Sequence, residues 1–593
     1  MDNNSFTLGA GKAKNAKVTF KQFYASIKKY RLLILISIIL AIASAVTGLF
    51  TPKILGDMTT IAAETHPNID FITIGQKAIV VIVLFIISAA LNYAQAFILG
   101  VVSARYTRDM REKIIDKISK LPISYFDRHK FGDTLSRMTN DVDVLTTSMS
   151  QEIADISLSL TTLIGVMIIM LIISVPLSLI SFIIVPLSVV VVGKIAKFAH
   201  KYFREHQAML GTLNSKIEED YSGQTVIKAN SYEPIALDDF EETNEKLAKA
   251  SFRSQFYSSL SMPVTHIFTN LSYVAVCIVG GILVIERAIS IGDIQAFIQY
   301  VSRFNRPITE IASSTSTIQA LLAASERIFE FLNEPEEEPD LSPAQKVEKI
   351  KGAVEFHDIH FSYLKDTPVI KGFSVKVEPG MKVAIVGPTG AGKTTIINLL
   401  MRFYEPDSGY ISIDGVPTRE MERADVRGLF GMVLQDTWLF SGTVEENLRY
   451  GRQDATLEEI KQAAKASNVH HVIESLPKGY KTIISEDSDN ISAGEKQLIT
   501  IARAMVANPP MMILDEATSN VDTRTEQLIQ DSFEKLTKGR TSFVIAHRLS
   551  TIRNSDLILV MRDGNIVEHG NHEELLKQNG FYAELYNSQF ADN

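Results

Sequence analysis

Residues 387–394 read Gly-Pro-Thr-Gly-Ala-Gly-Lys-Thr, and Thr395 follows. Glycines at this spacing let backbone N–H groups close on phosphate oxygens, the lysine reaches the terminal phosphates, and the threonine hydroxyl suits magnesium. Gly387, Pro388, Thr389, Gly390, Ala391, Gly392, Lys393, Thr394 and Thr395 are therefore assigned to a nucleotide-phosphate cradle. Val383-Ala384-Ile385-Val386 before it reads as a strand and Ile396-Ile397-Asn398-Leu399-Leu400 after it as a helix, the context such a loop requires. Met511-Met512-Ile513-Leu514-Asp515-Glu516 is an apolar strand delivering two carboxylates. Asp515 suits magnesium and Glu516 suits polarising an attacking water. Acids at a strand end are common on surfaces, and it is the preceding loop that gives these two their meaning.

The elements that must carry this chemistry fall into two kinds. The chain has 593 residues, more than one hydrophobic core normally supports, and 46% of them are apolar. Leu32–Phe50 and Ala78–Ala104 contain no charged residue, and each is long enough to cross a hydrocarbon layer about 30 Å thick as a helix. The uncharged run Ile156–Gly193 is too long for one crossing, and Ser174-Val175-Pro176 breaks it into a hairpin of two spans. Ser254–Ile285 gives a fifth span, and Ile294–Leu322, interrupted by Arg303, Arg306 and Glu310, a sixth. Ala41-Ile42-Ala43 resembles a signal cleavage site, but the polar leader and apolar stretch are too long for a secretory signal, so the first span is expected to be retained.

Six crossings put both ends on one side. Lys12, Lys14, Lys17, Lys21, Lys28, Lys29 and Arg31 against Asp2 alone mark that side as cytoplasmic. The connections after spans two and four are also basic and far longer than ordinary inter-helix loops, so the spans are expected to continue inward as helices. Gln299, Arg303, Arg306 and Glu310 share one stripe of the sixth helix. Two readings stand side by side: Arg306 paired with Glu310 and the arginines held structurally, or a stripe lining a wet translocation path. Asn92 and Gln95 in span two are a weaker pair of lining candidates.

Glu334-Pro335-Glu336-Glu337-Glu338-Pro339-Asp340 is acidic and proline-bearing, and reads as an exposed boundary. Beyond it, short β-rich runs alternating with helical stretches indicate an α/β layer architecture. A net charge of -9 gives no footprint for nucleic acid, and the single cysteine, Cys277, excludes an intrachain disulfide framework.

At Ile491-Ser492-Ala493-Gly494-Glu495 the chain resembles the signature loop of ABC transporters, whose usual form is Leu-Ser-Gly-Gly-Gln. The resemblance extends to Tyr363 as the adenine-stacking aromatic, Gln435 as the Q-loop residue beside catalysis and magnesium, Ser519-Asn520-Val521-Asp522 as the D-loop, and His547 as the switch histidine. It implies catalytic roles for Glu516, His547 and Gln435, nucleotide contacts from Tyr363, Ser492, Gly494 and Asp522 besides the cradle, and magnesium held near Thr394, Gln435 and Asp515. Six spans ahead of one such domain look like an exporter-type half-transporter, with Pro122–Asp133 and Gly223–Ser231 similar to its two intracellular coupling segments. The expected fold is an all-α six-helix transmembrane domain followed by an α/β P-loop ABC ATPase domain. Its divisions are a basic segment 1–31, a membrane domain 32–333, an acidic linker 334–350 and an ATPase domain 351–593.

The implied cofactors are ATP and Mg2+, and the implied partners a second half-transporter, membrane lipid and a small amphiphilic substrate, with no nucleic acid. The implied location is a multi-pass position in a bacterial cell membrane with the N-terminus and ATPase domain cytoplasmic. No peptidase domain precedes the first span, which counts against export of a leader peptide. The membrane spans exclude a soluble ABC ATPase, and their fusion ahead of the ATPase counts against an importer. Ala493 and Glu495 depart from the family's usual glycine and glutamine. In the family this loop completes the partner's ATP site, where an added methyl group and a carboxylate near phosphate should weaken it. Lys393, Asp515, Glu516 and His547 are intact, which favours a heterodimer with one consensus and one degenerate ATP site. The alternatives are a homodimeric lipid flippase or exporter, or a nucleotide-gated channel or regulatory half.

Overall fold

The computed structural model describes residues 15–364, 367–435, 437–485, 491–515, 522–546 and 549–590. They divide into two units, one of 1–121 with 129–335 and one of 122–128 with 336–593.

The first unit is helical. Among the described residues, five helices are long and apolar enough to cross a membrane: Lys28–Glu64, Phe71–Lys120, Phe131–Ile173, Val175–Ser222 and Glu233–Ile285. The expected count of six is not reached on this measure. Ile291–Leu332 is a continuous helix of 42 residues, but Asp293, Arg303, Arg306 and Glu310 dilute its apolar character. The hairpin break falls at Ser174, whose extended backbone separates the third and fourth long helices. The continuations of the spans beyond membrane length are helical, which is why single helices run to 50 and 53 residues.

Packing pairs the first helix with the second, the third with Ile291–Leu332, and the fourth with the fifth. Leu49, Val166, Met170, Val276, Phe297 and Tyr300 form the buried seam among them. A proline explains part of the charged stripe. Pro52 lies inside the first helix and has no N–H to offer the carbonyl four residues back, that of Gly48. Arg303 Nη1 donates to the Gly48 carbonyl at 2.6 Å, and Tyr300 Oη donates to the next carbonyl, Leu49, at 2.7 Å. A carbonyl that loses its helical donor must find a partner elsewhere in the protein, and for Gly48 the Arg303 side chain supplies it. Arg306 pairs with Glu310 at 2.6 Å, and Glu310 also accepts from Ser159 Oγ at 2.7 Å. These bonds favour the structural reading of the stripe. Gln95 is buried, whereas Asn92 is exposed.

The second unit has an α/β core. Its six-stranded sheet runs Asn565–Gly570, Leu557–Arg562, Lys382–Val386, Thr541–Ile545, Met511–Asp515, Phe430–Val433 in spatial order. All pairings are parallel except the first. The parallel strands are buried on both faces, which is why they read as continuous apolar runs. A second, antiparallel sheet is built on Val354–Leu364. The acidic stretch is less exposed in character than its composition suggested: Asp340 accepts from Arg423 at 2.7 Å and Arg402 at 3.3 Å, and Glu337 accepts from Arg427 at 3.0 Å. The short segment 122–128 belongs to this unit, where Tyr404 Oη donates to Asp127 and Arg128 donates to the Tyr363 carbonyl at 3.1 Å.

Candidate nucleotide site

Parallel strands deliver their carboxyl ends to one edge of the sheet, and such edges are where α/β proteins bind ligands. The register aligns Ile385 with Ile545, Ile545 with Asp515, and Leu514 with Val433. Gly387, Asp515 and Gln435 therefore follow or end strands of one sheet at the same edge, with Thr541–Ile545 lying between the strands of Gly387 and Asp515. Glu516 and His547, assigned to catalysis from sequence, lie outside the described residues, as do Ser519, Asn520 and Val521.

Gly390 at φ 83° and Gly392 at φ 99° take backbone conformations that L side chains rarely adopt. Gly392 caps the helix Lys393–Leu400, so the loop turns its backbone and the helix N-terminus toward one spot. Lys393 is almost wholly buried, and its ammonium donates to the carbonyls of Gly387 at 2.8 Å and Pro388 at 3.1 Å. Burial holds its pKa below the usual lysine range, with the Asp515 carboxylate working the other way. Incoming phosphates would restore the charge balance that burial disturbs.

A cavity of about 550 Å³ opens over the loop, lined among others by Tyr363, Thr389, Lys393, Thr394, Gln435 and Asp515. Gly390, Gly392 and Thr395 also line it. Tyr363 is fixed on three sides: Asn398 Nδ2 donates to its hydroxyl at 3.2 Å, that hydroxyl donates to Thr395 Oγ1 at 3.3 Å, and Tyr404 meets its ring edge to face at 5.0 Å. Such a ring can present a fixed face to a base. Thr394 is exposed at the first turn of the helix. With Asp515 it forms the hydroxyl-plus-carboxylate set suited to a magnesium ion that takes its other ligands from phosphates and water. These residues fit ATP and Mg2+. Ala391 is buried beneath the loop, and Gly387 and Pro388 serve through the carbonyls that hold Lys393.

Ser492, Gly494 and Asp522 do not line this cavity. Asp522 caps the helix Thr523–Thr537, its carboxylate accepting from Thr525 N at 3.0 Å, and these bonds hold its pKa below the usual range. Ser492 caps the helix Ala493–Ala507, in which Gly494 is buried. Glu495 has a local role there beside the charge it brings. Its carboxylate accepts from Ser492 N at 2.8 Å and from Ser492 Oγ at 2.9 Å, a reciprocal capping box. Glu495 thus has a structural task and also occupies the serine hydroxyl. Ser-x-x-Glu ahead of an apolar run is a local cap signature, so the sequence itself carries this role.

The family model described as "ABC transporter transmembrane region" matches residues 34–308, and that described as "ABC transporter" matches residues 370–519. The chain is 46% identical over 518 residues to a fatty acid ABC transporter ATP-binding/permease protein of Mycobacterium bovis, covering 87% of this chain and 82% of the relative. It is 36% identical to a putative multidrug export ATP-binding/permease protein of Bacillus subtilis, covering 86% and 88%. To an ATP-dependent lipid A-core flippase of Syntrophus aciditrophicus it is 33% identical, covering 91% of each chain.

Proposed function

Because this chain belongs to the ABC transporter family, as an exporter-type half-transporter that couples ATP hydrolysis to transport, we propose that it exports a lipid-like or drug-like amphiphile as one half of a heterodimer. Relatives named for a fatty acid, for multidrug export and for a lipid A core share amphiphilic cargo, which supports that class.

Ile291–Leu332 is taken as a sixth crossing. Its length suffices, and its charges are compensated internally through Gly48, Ser159 and the Arg306–Glu310 pair, the condition under which charge is tolerated at membrane depth. An even number of crossings with a basic N-terminal segment puts both the N-terminus and the ATPase on the cytoplasmic side of a bacterial cell membrane.

In this reading Lys393 and the loop amides grip the phosphates, Thr394, Gln435 and Asp515 surround magnesium, Tyr363 stacks on the base, and Glu516 with His547 directs water at the terminal phosphate. The second half supplies the loop that closes this site, and Ser492 of this chain faces the second half's nucleotide. ATP drives opening only as far as it binds the closed dimer better than the open one. The observation that supports the asymmetric part is the charge in this cap: a glutamine could make the same bond through its carbonyl oxygen, but Glu495 sets a carboxylate 2.9 Å from Ser492 Oγ, a like charge beside the phosphates of the site this chain completes. ATP-dependent accumulation of a labelled fatty acid or cationic dye in inverted vesicles tests the function. Uptake lost in Glu516→Gln is expected; uptake equal to wild type in that variant would overturn the catalytic assignment.

A further inference from the structure

Between the fifth long helix and Ile291–Leu332 lies a cavity of about 100 Å³, lined among others by Thr269, Asn270, Tyr273, Val276, Val301 and Ser302. Thr269–Val276 sit near the middle of the uncharged stretch Ser254–Ile285, at bilayer depth in the reading above. We propose that this cavity is a subsite for the uncharged polar end of an amphiphile, a hydroxyl, amide or protonated carboxyl group. The proposal rests on the export reading and names the headgroup chemistry that such a transporter would select.

Three observations carry it. The lining contains no Asp, Glu, Lys or Arg, so a charged headgroup would lose its hydration there without a counter-charge. The polar groups are unevenly committed. Thr269 Oγ1 donates to Thr265 O at 2.9 Å and accepts from Asn305 Nδ2 at 3.3 Å, which fixes its position. Among the described residues, no hydrogen bond to protein engages the Asn270 side-chain amide or the Tyr273 hydroxyl, leaving their donors and acceptors for a guest. The polar groups are also accessible at the mouth: Asn270 and Ser302 are exposed, and Tyr273 is 49% exposed. The volume matches roughly three water molecules, the size of a small headgroup, with Val276 and Val301 at its side for the start of a chain.

The test is photolabelling of the full dimer, reconstituted in lipid without nucleotide, by a diazirine-bearing dodecanol. Dodecanol, dodecanoate at pH 8 and dodecyltrimethylammonium serve as competitors. Labelling is expected on peptides containing 269–276 and 298–302, with dodecanol competing at least about tenfold better than either ion. Asn270→Leu and the isosteric Tyr273→Phe should each weaken that competition by about two- to tenfold, the worth of one hydrogen bond. Label spread over all helices, or equal competition by the three headgroups, would overturn the proposal and leave a water-filled gap. Because labelling needs no nucleotide, its outcome is independent of the ATPase: loss of Glu516-dependent turnover would instead count against the export reading.

Discussion

Glu495→Gln should raise nucleotide affinity and lower stability together, a combination that a merely tolerated substitution would not give. The carboxylate lies 2.9 Å from Ser492 Oγ. A phosphate oxygen taking that hydroxyl at roughly 2.7 Å would sit about 5 Å from it. Two unit negative charges at about 5 Å repel by about 3 kcal/mol at an effective dielectric near 20 and by about 0.8 kcal/mol in bulk water. The loop is exposed, so solvent screening favours the lower part of that range, about 1–2 kcal/mol or roughly 5- to 30-fold in affinity. Glutamine can keep the cap through its carbonyl oxygen, but it forfeits the charge at a helix N-terminus, about 0.3–1 kcal/mol. For a unit of this size that corresponds to a melting shift of about 1–3 °C. The assay is half-saturating ATP for turnover in the purified dimer, with the melting temperature measured without nucleotide. A fall in both affinity and stability would show that Glu495 assists the nucleotide, and no change in affinity would refute the repulsion reasoning.

Arg303→Met should destabilise the membrane unit by about 1.5–3 kcal/mol in the native background, because it orphans the Gly48 carbonyl. In a Pro52→Ala background the helix regains its own donor, so the same change should cost markedly less; equal losses in thermal unfolding would contradict this. Arg327→Ala should cost about 2–3 kcal/mol, since the Asp141 side chain is only 5% exposed and loses both of its bonds to the guanidinium. Adding Asp141→Asn should recover part of that loss in the same unfolding measurement. The Glu459 carboxylate is held down to about 2, first by the Thr456 backbone N–H, then by the Thr456 hydroxyl and Arg452. Its folded pKa is depressed, so its stabilisation is present above about 4.3 and is lost as pH falls toward 2. Glu459→Gln should therefore flatten the acid limb of the ATPase unit's stability in that window, as followed by circular dichroism.

The phosphate cradle was legible in sequence because close backbone approach to phosphate demands glycine, lysine and hydroxyl types at fixed spacing, and the fold only had to place them at a strand end. The membrane-length helices were legible because lipid forbids charge over a stretch of known length. Ile291–Leu332 was harder, because two of the partners of its charged side chains, the Gly48 carbonyl and Ser159, are remote in sequence. Pairing of Asp340 with Arg402 and Arg423, and membership of 122–128 in the ATPase unit, depend likewise on long-range packing. Glu495 differs, since its capping signature lies within four consecutive residues, Ser492 to Glu495.

The most direct test of the account is magnesium-dependent ATPase activity of this chain purified alone in lipid, beside its Glu516→Gln variant and with its molar mass. The account predicts a folded chain with little turnover, restored when a second half with an unaltered signature loop is supplied. Robust Glu516-dependent turnover from a dimer of this chain alone would contradict the asymmetric reading and establish a self-sufficient homodimer.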